Sequence, residues 1–190
     1  MSKEAILESA ATVFRQKGFH GASMADIAES VSLQKASLYH HFPSKQEILL
    51  ALLDRALEMV KDGMSNVMEQ NILLEEKFRL AVRTYLQTLN EQGDVVSVLL
   101  LEYRSLDPEL HARHIPNRDR FEQMWRDLIK QGVDAGVFHC ENIPMTVRGL
   151  MGSLNWSITW YRPDGPMSIE QISDYLADLF LVGLKGDREL

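Results

Sequence analysis

Cysteine is nearly missing from this chain: Cys140 stands alone, so no intrachain disulfide can form and a reducing compartment is expected. No uninterrupted apolar run approaches the roughly 20 residues that a membrane-spanning helix requires. The N-terminus also lacks a basic stretch followed by an apolar one, the mark of a secretory leader. A cytoplasmic protein without a membrane partner is therefore expected. Positive charge is scarce too, with 20 Lys and Arg against 27 Asp and Glu and a formal net charge of −7. That balance excludes a nucleic-acid binder that relies on massed basic charge. No Gly-rich phosphate loop, nucleophile elbow or paired-carboxylate site is present, so neither an enzyme nor a bound cofactor is expected.

What is present begins with the charge distribution. Residues 1–45 hold five basic and four acidic side chains, so the remainder carries the whole acidic excess. Binding to a polyanion would then rest on a few placed contacts and on dimerisation. The placed contacts are suggested by Ser23 to Lys45, which reads as two short helices joined by a turn at Ser30-Val31-Ser32. Ser23 can cap the first of them, which buries Met24, Ile27 and Ala28. In the second, Leu33, Ala36, Leu38 and Phe42 are assigned to the buried side, leaving Lys35, Ser37, Tyr39 and His40 for a DNA major groove. Before the pair, Lys3 to Lys17 is a helix with Ile6, Leu7, Ala10, Val13 and Phe14 on one face, stopped by Gly18. After it, Ser44-x-x-Glu47 is a capping box that opens a longer helix at Lys45.

The run Ile6-Leu7-x-x-Ala10-x-x-x-Phe14-x-x-x-Gly18-Phe19-x-x-Ala22-Ser23-Met24-x-x-Ile27-Ala28, with Lys35-Ala36-Ser37-Leu38-Tyr39-His40-His41-Phe42-Pro43-Ser44-Lys45, resembles the DNA-binding domain of the TetR family of bacterial transcriptional repressors. The resemblance implies an all-α protein: a three-helix helix-turn-helix domain over residues 1–46, an all-helical effector-binding and dimerisation domain over 47–190, and a homodimer. It implies that Ser23 caps a helix and touches a phosphate, that Lys35, Ser37, Tyr39 and His40 meet bases or backbone, and that Lys45 holds a phosphate at a helix N-terminus. Two positions depart from the family pattern. Gln34 stands where a capping Ser or Thr is common, and its amide can instead pair with adenine. Ser32 stands where a turn Gly is common.

Helices are expected throughout the rest: from Lys45 to about Gln70, Leu74 to Gln92, Val95 to Ser105, Pro116 to Asp134, Ile143 to Tyr161 and Ile169 to Leu184. Asn142 and Pro144 suit the start of the fifth, and Ser168-x-x-Gln171 is a capping box for the sixth. Val95 to Ser105 is apolar nearly all round, as a buried helix should be. Gly149, Gly152 and Ser153 leave room for a close-packed helix, and the last two helices suit an isologous dimer interface.

A small-molecule effector is expected inside the second domain, with Tyr103, Trp125, Met151, Asn155, Trp156 and Trp160 as candidate lining residues. The stretches Asn155-Trp156 and Trp160-Tyr161-Arg162-Pro163-Asp164-Gly165 resemble TetR-family regulators of fatty-acid and acyl-CoA degradation, which implies an acyl-CoA or fatty acid. Arg104, Arg113, Arg118 and Arg120 offer positive charge for CoA phosphates, interleaved with acidic residues. The competing reading is a metal-responsive regulator using His111, His114, His139 and Cys140, although their spacing matches no zinc motif. A ligand-independent DNA-binding or interaction module is the third, and it would not need so large an apolar helical domain.

Overall fold

The computed structural model describes residues 2–185, so the last five residues of the expected second domain lie outside it. Among the described residues there are nine α-helices: α1 (Lys3–Gly21), α2 (Met24–Ser30), α3 (Lys35–His41), α4 (Lys45–Met68), α5 (Leu74–Glu91), α6 (Gly93–Glu102), α7 (Pro108–Asp134), α8 (Ile143–Trp160) and α9 (Ile169–Lys185). A 3-10 turn, Tyr103–Ser105, follows α6. No described helix is long and apolar enough to cross a membrane.

The chain forms two compact units. Met1–Glu58 joins Gln92–Arg118 in the first, and Met59–Glu91 joins Asp119–Leu190 in the second. Compactness thus groups residues 47–58 and 92–118 with the N-terminal helices, because α6 packs along α1. The apolar stripe of α1, with Ile6, Ala10 and Ala11 fully buried, gives α6 its partner. Thr12 Oγ1 donates to Asp94 (3.0 Å), Arg15 pairs with the same carboxylate (2.6 Å), and the Phe19 N–H donates to Glu102 (3.1 Å). The expectation of a helix buried all round is corrected here: Val95, Val96, Val98 and Leu99 are buried, while Leu101 faces outward. A helix against one neighbour can hide only one side.

The caps expected from sequence are in place. Asn142 accepts from Met145 N–H (3.0 Å), Ser44 from Glu47 N–H (3.1 Å), and Ser168 and Gln171 bond reciprocally (3.3 and 2.9 Å). Gly18 sits at φ 71°, ψ 158°, outside helical geometry and on the positive-φ side that suits glycine, so the helical run from Lys3 stops there as expected and α1 resumes across a kink to Gly21. The main correction concerns α7, which starts at Pro108 rather than Pro116. Asp107 caps it through Leu110 N–H (2.9 Å), Pro108 occupies the first turn where no amide proton is needed, and Pro116 is carried inside the helix.

In the second unit α9 lies along α5, burying Ile172, Ala177, Leu181 and Leu184. Ion pairs line the seam: Arg83 with Asp174 (2.6 Å), Lys185 with Glu75 (2.6 Å), and Arg79 with Asp178. The Asp178 carboxylate holds the Arg79 guanidinium even further into its charged form than usual.

Candidate functional site

The geometry that presents α3 begins at the start of α2. Ser23 Oγ accepts from the Asp26 N–H (3.2 Å), while the Asp26 carboxylate accepts from the Ser23 N–H (2.8 Å) and hydroxyl (2.6 Å). Lys17 closes on the same carboxylate at 2.6 Å. The Lys17 ammonium first, and then the two Ser23 donors, hold the Asp26 carboxyl well below the usual carboxylate range. Asp26 was missed in the sequence, although its Ser-x-x-Asp spacing is a capping-box signal. Because Ser23 spends its hydroxyl proton on Asp26, its observed role is the cap.

At the other end of α2, the Ser32 N–H donates to Glu29 O (3.0 Å) and the Leu33 N–H to Ala28 O (2.8 Å). These are the paired bonds of a Schellman motif, whose penultimate residue must be left-handed. Ser32 is that residue, at φ 53°. A glycine would sit there without strain; serine holds it at a cost of about 1–2 kcal/mol. Ser9 Oγ donates to Ser30 Oγ (2.7 Å), which donates on to Ile27 O (2.8 Å), tying α1 to this turn.

α3 then runs with Leu38 fully buried and Phe42 buried just beyond its end. Each contributes about 1.5–3 kcal/mol to holding the helix in place. Gln34 occupies the N-cap position without a side-chain cap bond, as its length implies. Gln34, Lys35, Tyr39 and His40 are exposed and Ser37 half-exposed, with the Lys35 ammonium 6.0 Å from the Tyr39 ring. Ala36 is a correction: it is exposed with this row, because it lies about 200° around the helix from Leu38. Leu33 is only half-buried. Lys45 is the second surprise. Its ammonium donates to Phe19 O and Ala22 O (2.6 Å each) and lies 4.4 Å from the Phe19 ring, so it locks the end of α1 and keeps one N–H to spare.

The candidate effector residues separate. Tyr103 belongs to the first unit, where its hydroxyl accepts from Arg104 Nε (2.8 Å) and its ring stacks on His111 at 6.5 Å. Trp125 and Asn155 meet around Tyr85 in the second unit. Tyr85 donates its hydroxyl proton to Asn155 Oδ1 (2.6 Å), and its ring lies 6.0 Å edge-on from Trp125 and 5.5 Å from Phe121. Burial pushes the Tyr85 phenol well above its usual range, so it stays a donor. Met151 is half-buried one turn before Asn155. Trp156 and Trp160 are not interior residues: they are 65% and 47% exposed, and Trp160 borders an apolar surface hollow of about 450 Å³ with Met167 and Tyr175. With Leu179 and Val182 they leave α8 and α9 showing large apolar side chains, and nothing lies within 4 Å of where side chains at Gly149, Gly152 and Gly183 would begin.

The metal-ligand set does not assemble. Among the described residues no three His, Cys, Asp or Glu side chains gather to hold an ion. His114 is buried with Nδ1 3.3 Å from Asp54, which also accepts from Asn117 (3.0 Å), and Cys140 Sγ lies 3.1 Å from the Thr146 hydroxyl.

Two family models match: "Bacterial regulatory proteins, tetR family" over residues 6–52, and "Tetracyclin repressor-like, C-terminal domain" over residues 73–184. Among curated relatives, the HTH-type transcriptional repressor KstR2 of Mycobacterium tuberculosis is 25% identical over 181 residues, covering 94% of this chain and 90% of its own. Among solved structures, the TetR family transcriptional regulator PfmR from Thermus thermophilus is 35% identical with a TM-score of 0.85, covering 95% of this chain and 99% of its own. AibR, solved in complex with isovaleryl coenzyme A and operator DNA, is 25% identical with a TM-score of 0.83, covering 96% and 97%.

Proposed function

The chain belongs to the TetR family of bacterial regulatory proteins, transcriptional regulators rather than enzymes, and from that membership we propose that it is a homodimeric repressor of a palindromic operator, released by an apolar effector, an acyl-CoA or fatty acid. The observation that carries the reading is α3: a buried Leu38 anchors it while Gln34, Lys35, Tyr39 and His40 stand exposed. Ser37 and Gln34 read bases, Lys35, Tyr39 and His40 meet bases or backbone, and the spare N–H of Lys45 meets a phosphate, while Ser23, with both its donors on Asp26, acts by capping α2. The reader comprises residues 1–46 and the effector-binding and dimerisation part residues 47–190, in the cytoplasm.

One short helix binds DNA weakly, so two readers about 34–36 Å apart are needed. The uncovered apolar side chains of α8 and α9 support an isologous pairing of copies, since a monomer rarely leaves such a patch to water. For the effector, the relationship to AibR supports a coenzyme A ester, and Tyr85, Trp125, Met151 and Asn155 are its contacts. The effector acts through α4, which continues from the first unit into the second. A coupling of about 1–3 kcal/mol suffices to change operator affinity 5- to 150-fold.

Fluorescence anisotropy of a labelled fragment of the protein's own promoter, with and without isovaleryl-CoA, palmitoyl-CoA and palmitate, tests the proposal. Specific binding lost on adding one of them is the expected result. Specific binding indifferent to all three would remove the acyl effector, and no specific binding would remove autoregulation at that promoter.

A further inference from the structure

The interior of the second unit holds a polar imbalance. Trp125 is completely buried, yet its indole Nε1–H has no hydrogen-bond partner, an arrangement folded proteins seldom tolerate without a reason. Around the same tyrosine, Asn155 has its carbonyl oxygen occupied by the Tyr85 hydroxyl, which leaves its amide NH2 as the end that can engage something else. Tyr85 touches both, edge-on to the Trp125 ring and hydrogen-bonded to Asn155, and its own proton is spent. The cluster therefore offers donors and has its acceptor already taken. A ligand that brings an oxygen acceptor satisfies it; one that brings only hydrocarbon, or only donors, leaves the indole N–H unpaired.

We propose that Trp125 Nε1–H and the Asn155 amide receive a neutral carbonyl oxygen of the effector, so that the protein distinguishes a carbonyl-bearing apolar ligand, such as an acyl thioester or a ketone, from the matching hydrocarbon or thioether. The inference deepens the proposed effector site and rests on that reading for the thioester case. Neutral carbonyls are favoured over carboxylates because the three side chains of the cluster, an indole, an amide and a phenol, carry no positive charge to balance a buried anion.

The test compares isovaleryl-CoA with its S-alkyl thioether, in which CH2 replaces the carbonyl, on full-length protein labelled with 15N at the indoles. The Trp125 indole signal is assigned as the one of three that disappears in Trp125→Phe. The expected result is a downfield move of the Trp125 indole proton with the acyl-CoA and not with the thioether, together with at least tenfold weaker binding of the thioether. In Trp125→Phe, which keeps a buried ring, and in Asn155→Leu, the preference for the carbonyl should shrink severalfold or more. Equal affinities, or DNA release by isovaleryl-CoA with an unmoved Trp125 signal, would overturn the inference while leaving an acyl-CoA effector standing. If isovaleryl-CoA neither binds nor releases DNA, 2-nonanone against nonane decides. A Trp125 signal that moves with the ketone alone keeps the carbonyl site and discards the thioester, and one that moves with neither discards the site.

Discussion

α3 and the α8–α9 pair both leave part of themselves uncovered, and the chemistry of what they leave differs. α3 exposes an amide, an ammonium, a phenol and an imidazole, whereas α8 and α9 expose Trp156, Trp160, Leu179 and, at 75%, Val182. An exposed row of hydrogen-bonding groups is stable in water and waits for a partner that is itself polar and charged. An exposed apolar surface orders water until another apolar surface replaces it. Under the proposed function the polar surface of α3 meets DNA and the apolar surface of α8 and α9 meets a second copy of the protein.

Breaking the apolar surface should have the largest effect. Trp156→Glu combined with Val182→Glu places charges in the proposed interface at positions a monomer leaves open. Sedimentation should show monomer with unchanged helical content, and operator affinity should fall about 100-fold or more through lost bivalency. An intact dimer with native affinity would end that assignment. On the polar surface, Lys45→Ala removes two charge-assisted bonds, to Phe19 O in α1 and to Ala22 O just beyond it, and should lower stability by about 2 kcal/mol in urea unfolding. Its effect on operator affinity should be uniform across sequences. Lys35→Ala should instead leave stability alone, weaken DNA binding about tenfold and reduce the salt slope by about one. Gln34→Ala should change the preference between operators that differ at a single base pair; equal losses on every operator for Gln34 and Lys35 would sink the division of roles.

Ser32→Gly sharpens the comparison with a small effect: it relieves the left-handed serine and should stabilise by about 1 kcal/mol, read as a raised melting temperature. The acid limb of stability reports on Asp26. Its folded carboxyl titrates below the ordinary value of 3.8, so the stability it contributes is present above that pH and lost as pH falls through the window beneath it. Asp26→Asn should flatten that limb, and an unchanged limb would remove Asp26 from the account.

Much of the helix layout was legible because its signals are local. Ser23, Ser44, Asn142 and Ser168 are caps within three residues of their partners, and Ser32 marked a turn that glycine would prefer. The failures were of two kinds, local signals read wrongly and burial that depends on distant segments. Ala36 was assigned inward by its small apolar side chain alone, when the helix angle to Leu38 turns it out. Pro116 looked like a helix start because proline usually is one, while Pro108, capped by Asp107, was the actual start. Trp156 and Trp160 counted as interior because they are large and apolar, and nothing along the chain says whether an apolar face has been covered.

Periodicity and capping act within a few residues, so the sequence by itself determined an all-helical chain, its helix-turn-helix and the row of α3 side chains that faces outward. Burial depends on which distant segment arrives, so only the tertiary structure decided the rest. It set α6 against α1, drew Lys45 onto the carbonyls of Phe19 and Ala22, left Trp125 with an unpaired proton in the interior, and kept Trp156 at the surface.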